Sequence, residues 1–179
     1  MTRSFLAVLL GAGLLSAGRD PDFQLLLRIH EAVRAETALA ELARTRSQNP
    51  EIKVYADRLI DDGKTIDRTV TDRASSRDWS LSGERSDTWL RDQANLKEEI
   101  AVLRVKGGEA FDREFLTHSM ADQERLIGFL HTKLDTIADP AFHDEIKGIH
   151  DKLVADREDA KKRLPALERR NTRGEDLPY

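Results

Sequence analysis

The chain has 179 residues, enough for one domain with a buried core. Charged residues make up 35% and aromatic residues only 6%, which favours helices, because sheets draw more on aromatic and β-branched side chains. The formal net charge of −4, with basic residues interspersed among acidic ones, argues against nucleic-acid binding. The lack of cysteine excludes disulfides, thiolate metal sites and cysteine nucleophiles.

The N-terminus has the three parts of a signal peptide. Arg3 precedes an apolar run, residues 5–15, and small residues follow it up to Gly18. The run is shorter than the roughly 20 residues that span a bilayer, so we expect cleavage after Ala17 or Gly18 rather than a retained anchor or a buried helix. Residues 1–18 therefore predict an exported protein, periplasmic or secreted, without stable membrane insertion after cleavage.

Proline and glycine divide the rest of the chain into helical segments. Pro21 and Pro50 suit the first turn of a helix. Two adjacent glycines inside a helix cost about 2 kcal/mol, so Gly107-Gly108 predicts a break. The polar stretch 76–86 is expected to be a loop. The predicted helices cover residues 22–46, 51–75, 87–105, 111–134 and 140–168.

These segments predict an all-α domain, residues 19–168, folded as an up-down four-helix bundle. Its third leg comprises the two segments before and after Gly107-Gly108. Pro165 is expected to end or kink the last helix. The charged tail, residues 169–179, lacks any apolar pattern and is predicted to be disordered.

Each of the four long helices carries a stripe of apolar residues at alternating spacings of three and four, typical of helices packed in a bundle. One member of each stripe, near the middle of its helix, is not apolar. These exceptions are Glu36, Gly63, Gln123 and Asp156.

In an up-down bundle the midpoints of the helices lie at one height, so the four exceptions should meet in one layer. Buried carboxylates are costly unless something compensates them. We expect one carboxyl of the pair Glu36 and Asp156 to be protonated or to share a proton, with hydrogen bonds to Gln123 and to water in space beside Gly63. A hard cation bound by the two carboxylates is the alternative.

Three segments of the chain carry a resemblance to a known family. They are ETALAELA at residues 36–43, ADRLIDD at 56–62 and FDREFL at 111–116. Together they resemble exported ferritin-like proteins grouped as domain of unknown function 4142, and the resemblance extends over about residues 22–164.

The resemblance implies a periplasmic ferritin-like bundle with a candidate metal layer in its core. The family typically has histidines where this chain has Gly63, Gln123 and Asp156, and Glu36 alone matches the family's pattern. A degenerate metal site, without a resident metal or other cofactor, is what the comparison implies for this chain.

The histidines of the chain support the same interpretation. A ferritin-type di-iron site needs a Glu-x-x-His motif on each of two helices, and none of the five histidines has glutamate three positions before it. We therefore expect a non-catalytic exported protein, acting in envelope stress or as a binding module. The alternative is a metal-binding protein that uses Glu36 and Asp156. Self-association into a homo-oligomer is a third possibility that the sequence leaves open.

Overall fold

The computed structural model describes residues 20–172, with side chains up to Leu167. The predicted signal peptide, residues 1–18, lies outside the described residues, as do residues 173–179. The described part is all-helical, with five helices and no strand, and it contains no helix long and apolar enough to cross a membrane. The helices are α1 (Pro21–Arg46), α2 (Pro50–Ser75), α3 (Trp89–Val105), α4 (Gly108–Leu134) and α5 (Pro140–Thr172).

Three helices begin with the same local structure. Asp20, Asn49 and Asp139 precede a proline at the start of α1, α2 and α5. In each, a side-chain oxygen accepts a hydrogen bond from the backbone N–H two residues later, at 2.9 or 3.0 Å. This bond satisfies one of the backbone N–H groups in the first turn that have no acceptor within the helix. Proline has no N–H group, so it removes another of these unsatisfied donors. The predicted starts of these helices are confirmed to within two residues.

The apolar core consists of two clusters, one toward each end of the helices. The first contains the start of α1, the end of α2, the end of α4 and the start of α5. The second contains the opposite ends of the same four helices and Leu103, near the end of α3. Helices α1 and α5 therefore run in one direction, and α2 and α4 run in the other.

This arrangement corrects the predicted up-down topology. Because α2 and α4 run in the same direction, the chain has to return along the molecule between them, and α3 makes that return. Arg46, at the end of α1, donates hydrogen bonds to the backbone carbonyls of Arg104 and Lys106, both at 3.0 Å. The C-terminal ends of α1 and α3 therefore lie side by side. The break at Gly107-Gly108 is confirmed, but α3 lies beside α4 and is not the first half of a shared leg.

The loop that leads into α3 is held against the core. The Trp79 ring meets Phe23 of α1 edge to face, with centroids 5.6 Å apart. Leu81 is buried, and the Ser86 backbone N–H donates to Glu31 at 3.1 Å. These contacts fix the point from which α3 starts its return.

Pro165 does not end α5, which continues to Thr172. Pro165 and Lys161 are both exposed, so water can replace the N–H donor that the proline lacks. The predicted boundary between the domain and its tail, at residue 168, therefore falls inside a helix.

The predicted apolar stripes are the core of the molecule, and every stripe residue on α1, α2, α4 and α5 is buried or half-buried. On α2 the stripe includes Gly63, which lies directly against α1. A Cβ atom at Gly63 would overlap Thr37 Oγ1, whose hydroxyl donates to the Val33 carbonyl at 2.7 Å. Glycine at this position lets α1 and α2 approach closely.

Gly63→Ala is expected to lower the free energy of unfolding by about 1–2 kcal/mol, because the new methyl group displaces the Thr37 hydroxyl. In a Thr37→Ala background the same change should be neutral or should stabilise α2 by up to about 1 kcal/mol through helix propensity. Urea denaturation of the wild type, both single variants and the double variant measures this coupling. An equal cost in both backgrounds would contradict the close contact.

Candidate functional site

The four predicted exceptions lie between the two apolar clusters. Along its own helix, each one follows the residues of one cluster and precedes the residues of the other. They are Glu36 on α1, Gly63 on α2, Gln123 on α4 and Asp156 on α5. A polar layer therefore crosses the middle of the core. Gln123 and Asp156 are 1% and 4% exposed, whereas Glu36 is half-buried.

Glu36 and Gln123 are in direct contact. Gln123 Nε2 donates to Glu36 Oε1 at 2.7 Å, and Ser119 Oγ donates to the same oxygen at 3.4 Å. Ser119 and Gln123 are four residues apart on α4, so they share one helical face. Helix α4 thus holds the carboxyl of α1 with two donors.

The layer continues through Tyr55 of α2, a residue that the sequence analysis missed. Its hydroxyl lies 3.3 Å from Gln123 Nε2 and 3.1 Å from Ser119 Oγ. It also donates to the backbone carbonyl of Asp156, on α5, at 3.4 Å. One hydrogen-bond network therefore joins all four long helices. The available signal was that Tyr55 lies one position before Ala56, a member of the α2 stripe, since a buried phenol requires a polar partner.

The side chain of Asp156 takes part in a different interaction. Its Oδ1 lies 3.3 Å from Arg58 Nε, and Arg58 Nη2 pairs with Asp159 at 2.6 Å. Asp156 therefore joins the network through its backbone carbonyl, while its carboxylate pairs α5 with α2. Of the two carboxyls, Glu36 is therefore the one that takes the predicted hydrogen bond from Gln123.

Gly63 lies at the height of the layer but outside its hydrogen-bond network. It contacts Thr37 and Val33 of α1. The expected water-sized space beside Gly63 is absent, because the Thr37 side chain fills it.

Burial determines the ionisation of the layer. It raises the pKa of Glu36 to about 8, and the charge of Asp156 adds to this, against the opposing effect of the Gln123 hydrogen bond. Burial also raises the pKa of Asp156 to about 6, reinforced by Asp62 and opposed by Arg58. The pKa of Tyr55 is raised by burial as well, so its phenol stays a neutral donor.

A cavity of about 150 Å³ borders the layer between α1, α3 and α4. Glu36 and Gln123 line it, which accounts for the exposed part of Glu36. Gln123 Oε1 is buried and has no hydrogen-bond partner among the described residues. The layer is therefore not closed on itself, because the Glu36 carboxyl borders open space and the buried Gln123 Oε1 lacks a donor in the described part of the chain.

Two further acidic residues line the same cavity, Glu99 on α3 and Asp122 on α4. Burial raises the pKa of both, and the neighbouring Glu99 carboxylate helps to raise that of Asp122 to about 7. Arg125 pairs with Asp122 and lies 3.5 Å from Glu99, which opposes the rise. Neither acid was predicted, because both lie outside the apolar stripes.

Among residues 20–167, no three His, Asp or Glu side chains are grouped closely enough to hold a metal ion. Glu36 is bonded to Gln123 and Ser119, and Asp156 is paired with Arg58. The geometry thus gives the predicted pair of carboxylates separate partners.

Comparison with known protein families identifies the chain's relatives. The model of the family described as Domain of unknown function (DUF4142) matches residues 15–163, which include α1 to α4 and most of α5. The chain belongs to the DUF4142 family. Neither curated proteins nor solved structures gave a significant match. The matched region of this DUF4142 chain contains the whole polar layer and every residue that lines the cavity.

Stability of this DUF4142 domain should fall as the pH rises from about 4.5 to about 8. Glu36 keeps its proton over that range in the folded state but loses it near pH 4.5 when unfolded, so the folded state binds more protons. Asp122 and Asp156, with pKa values raised to about 7 and about 6, act in the same direction. The free energy of unfolding, measured by urea denaturation from about pH 5 to pH 8, should decrease across the series.

Glu36→Gln removes the titrating group but keeps a side chain of the same shape. It is expected to reduce the change in unfolding free energy over that range by at least about 1 kcal/mol. Glu41→Gln is the matched control, since Glu41 is exposed on the same helix. An unchanged slope in Glu36→Gln would show that Glu36 ionises normally.

Proposed function

We propose that the protein is an exported, non-catalytic binding protein of the cell envelope, built on a ferritin-like four-helix bundle. Helices α1, α2, α4 and α5 supply the bundle, and the cavity beside the polar layer is its binding site. The predicted signal peptide, residues 1–18, is the basis for export to the periplasm or beyond.

The order of the helices supports the ferritin-like part of this proposal. Ferritin-like bundles have one long crossover connection, whereas simple up-down bundles have only short ones. Here short loops join α1 to α2 and α4 to α5, and the one long connection, residues 76–107, contains α3. This crossover carries the chain from the end of α2 back to the start of α4.

The observation that carries the binding role is the Glu36 carboxyl at the edge of an open cavity, where its Oε2 accepts no hydrogen bond from the residues that the structure describes. Removing a carboxyl from water without partners for both oxygens is costly. A bound molecule that supplies the missing donor offsets that cost. The acidic groups nearby are engaged by hydrogen bonds or arginines, with no nucleophile activated by a base at this site, which favours binding over catalysis.

Metal binding through Glu36 and Asp156 is not favoured by any contact of these two side chains. Their partners are Gln123, Ser119 and Arg58, and a guanidinium beside Asp156 repels a cation. Elemental analysis of the purified protein provides the check. Stoichiometric iron, manganese or zinc that is lost in Glu36→Ala would show that the protein is a metal-binding protein and would contradict the role proposed above.

Export predicts a processed protein. When the full chain is expressed in a bacterial host with two membranes, the periplasmic fraction should contain a product that begins at Gly18 or Arg19, as measured by intact mass. Replacing Leu9 and Leu10 with arginine should keep the chain in the cytoplasm at full length, because two charges interrupt the apolar run.

The matched control replaces the same two leucines with isoleucine, which preserves the apolar run, and should be exported normally. A full-length, cytoplasmic product from the unmodified chain would refute the proposal of export.

A further inference from the structure

The cavity between α1, α3 and α4 has room for an organic molecule. A single water needs on the order of 10–15 Å³, and this cavity measures about 150 Å³. The space exists partly because α1 presents the short side chains of Ala32 and Ala35 there. Helix α3, which is the crossover, forms the outer wall, so a ligand would lie between the crossover and the bundle.

The charges around the cavity favour a cation. Five acidic and three basic side chains line it, which leaves two net negative charges when all are ionised and one while Glu36 keeps its proton. All three arginines are already engaged, since Arg28 lies over the Phe129 ring at 3.9 Å, Arg91 lies 3.4 Å from Asp92 and Arg125 pairs with Asp122. The charged lining residues are Glu31, Glu36, Asp92, Glu99, Asp122, Arg28, Arg91 and Arg125.

The Glu36 carboxyl is the polar group of the layer that borders this space. Both hydrogen bonds that Glu36 accepts from α4 end on Oε1, which leaves Oε2 to accept another once its proton is lost. The site therefore favours a ligand whose hydrogen-bond donor carries a positive charge, as an ammonium group does.

The remaining walls of the cavity are apolar. Leu96 of α3 and Leu126 of α4 line it, together with the two alanines of α1 and the ring of Trp89. A metal ion or an ammonium ion alone would leave these walls facing water. An alkyl chain attached to the ammonium group would cover them and gain the free energy of burial.

We propose that this cavity binds a small aliphatic amine. Its ammonium group donates a hydrogen bond to Glu36 Oε2, and its carbon chain lies along Leu96 and Leu126. The inference rests on the binding role proposed above and names the ligand class for that site.

Isothermal titration calorimetry of the purified full-length protein at about pH 7 tests the proposal. The probes are butylamine and 1,4-diaminobutane, with 1-butanol and butyrate as a neutral and an anionic molecule of similar size. At least one amine should bind saturably with a Kd below about 1 mM, and the alcohol and the acid should not. Binding should also release protons, because a cation beside Glu36 lowers the pKa that burial has raised.

Two variants locate the site. Glu36→Gln should weaken amine binding at least about tenfold, which corresponds to about 1.4 kcal/mol. Ala35→Leu should abolish binding, because the larger side chain fills the cavity without changing its charge. If Glu36→Gln does not fold, this variant alone tests whether the amine binds in the cavity. Glu41→Gln, exposed on the same helix, should bind amines as the wild type does.

Three outcomes would overturn the amine site. They are the absence of saturable amine binding, equal binding of 1-butanol, and amine binding that survives Ala35→Leu. If butanol or butyrate binds instead and Ala35→Leu prevents it, the binding role stands and only the ligand class is wrong. If no probe binds, the amine inference fails, while export is judged separately from the processed N-terminus.

Discussion

The hydrogen bond from Gln123 to Glu36 is the interaction on which the middle of this molecule depends. A carboxyl at this height interrupts a core that is apolar toward both ends, and its desolvation would be costly without a partner. The amide of Gln123 supplies a donor, and burial keeps the carboxyl largely protonated near neutral pH. A neutral, hydrogen-bonded acid can remain inside the bundle where a lone carboxylate would not.

The network around that bond also relates the helices to one another. Gln123 and Ser119 connect α4 to α1, and Tyr55 extends the connection to α2 and to the backbone of α5. Apolar stripes alone allow neighbouring helices to slide by a turn, whereas hydrogen bonds of defined geometry oppose such a shift. The layer therefore specifies the relative height of the four long helices, and the cavity beside it lies where α3 crosses α1 and α4 before it joins the core at Leu103.

Periodicity predicted the helices, the residues of the core and the height of the layer, because an alternating three-and-four spacing depends only on local geometry. It could not predict the direction of α4, which depends on the path of the crossover through α3. Gly63 shows the limit of the sequence, which predicted water beside the glycine, whereas the Thr37 side chain fills that space. Glu99 and Asp122 are ordinary surface acids in sequence, and only tertiary structure places them together at one cavity.

The ionisation of Glu36 tests the account most directly. The carboxyl carbon of Glu36, observed by ¹³C nuclear magnetic resonance in uniformly labelled protein and assigned by its loss in Glu36→Gln, should titrate with a midpoint near the pKa of about 8 that burial imposes. A midpoint near 4.5, the value for an exposed glutamate, would show that the carboxyl lies in water and that the polar layer does not cross the core.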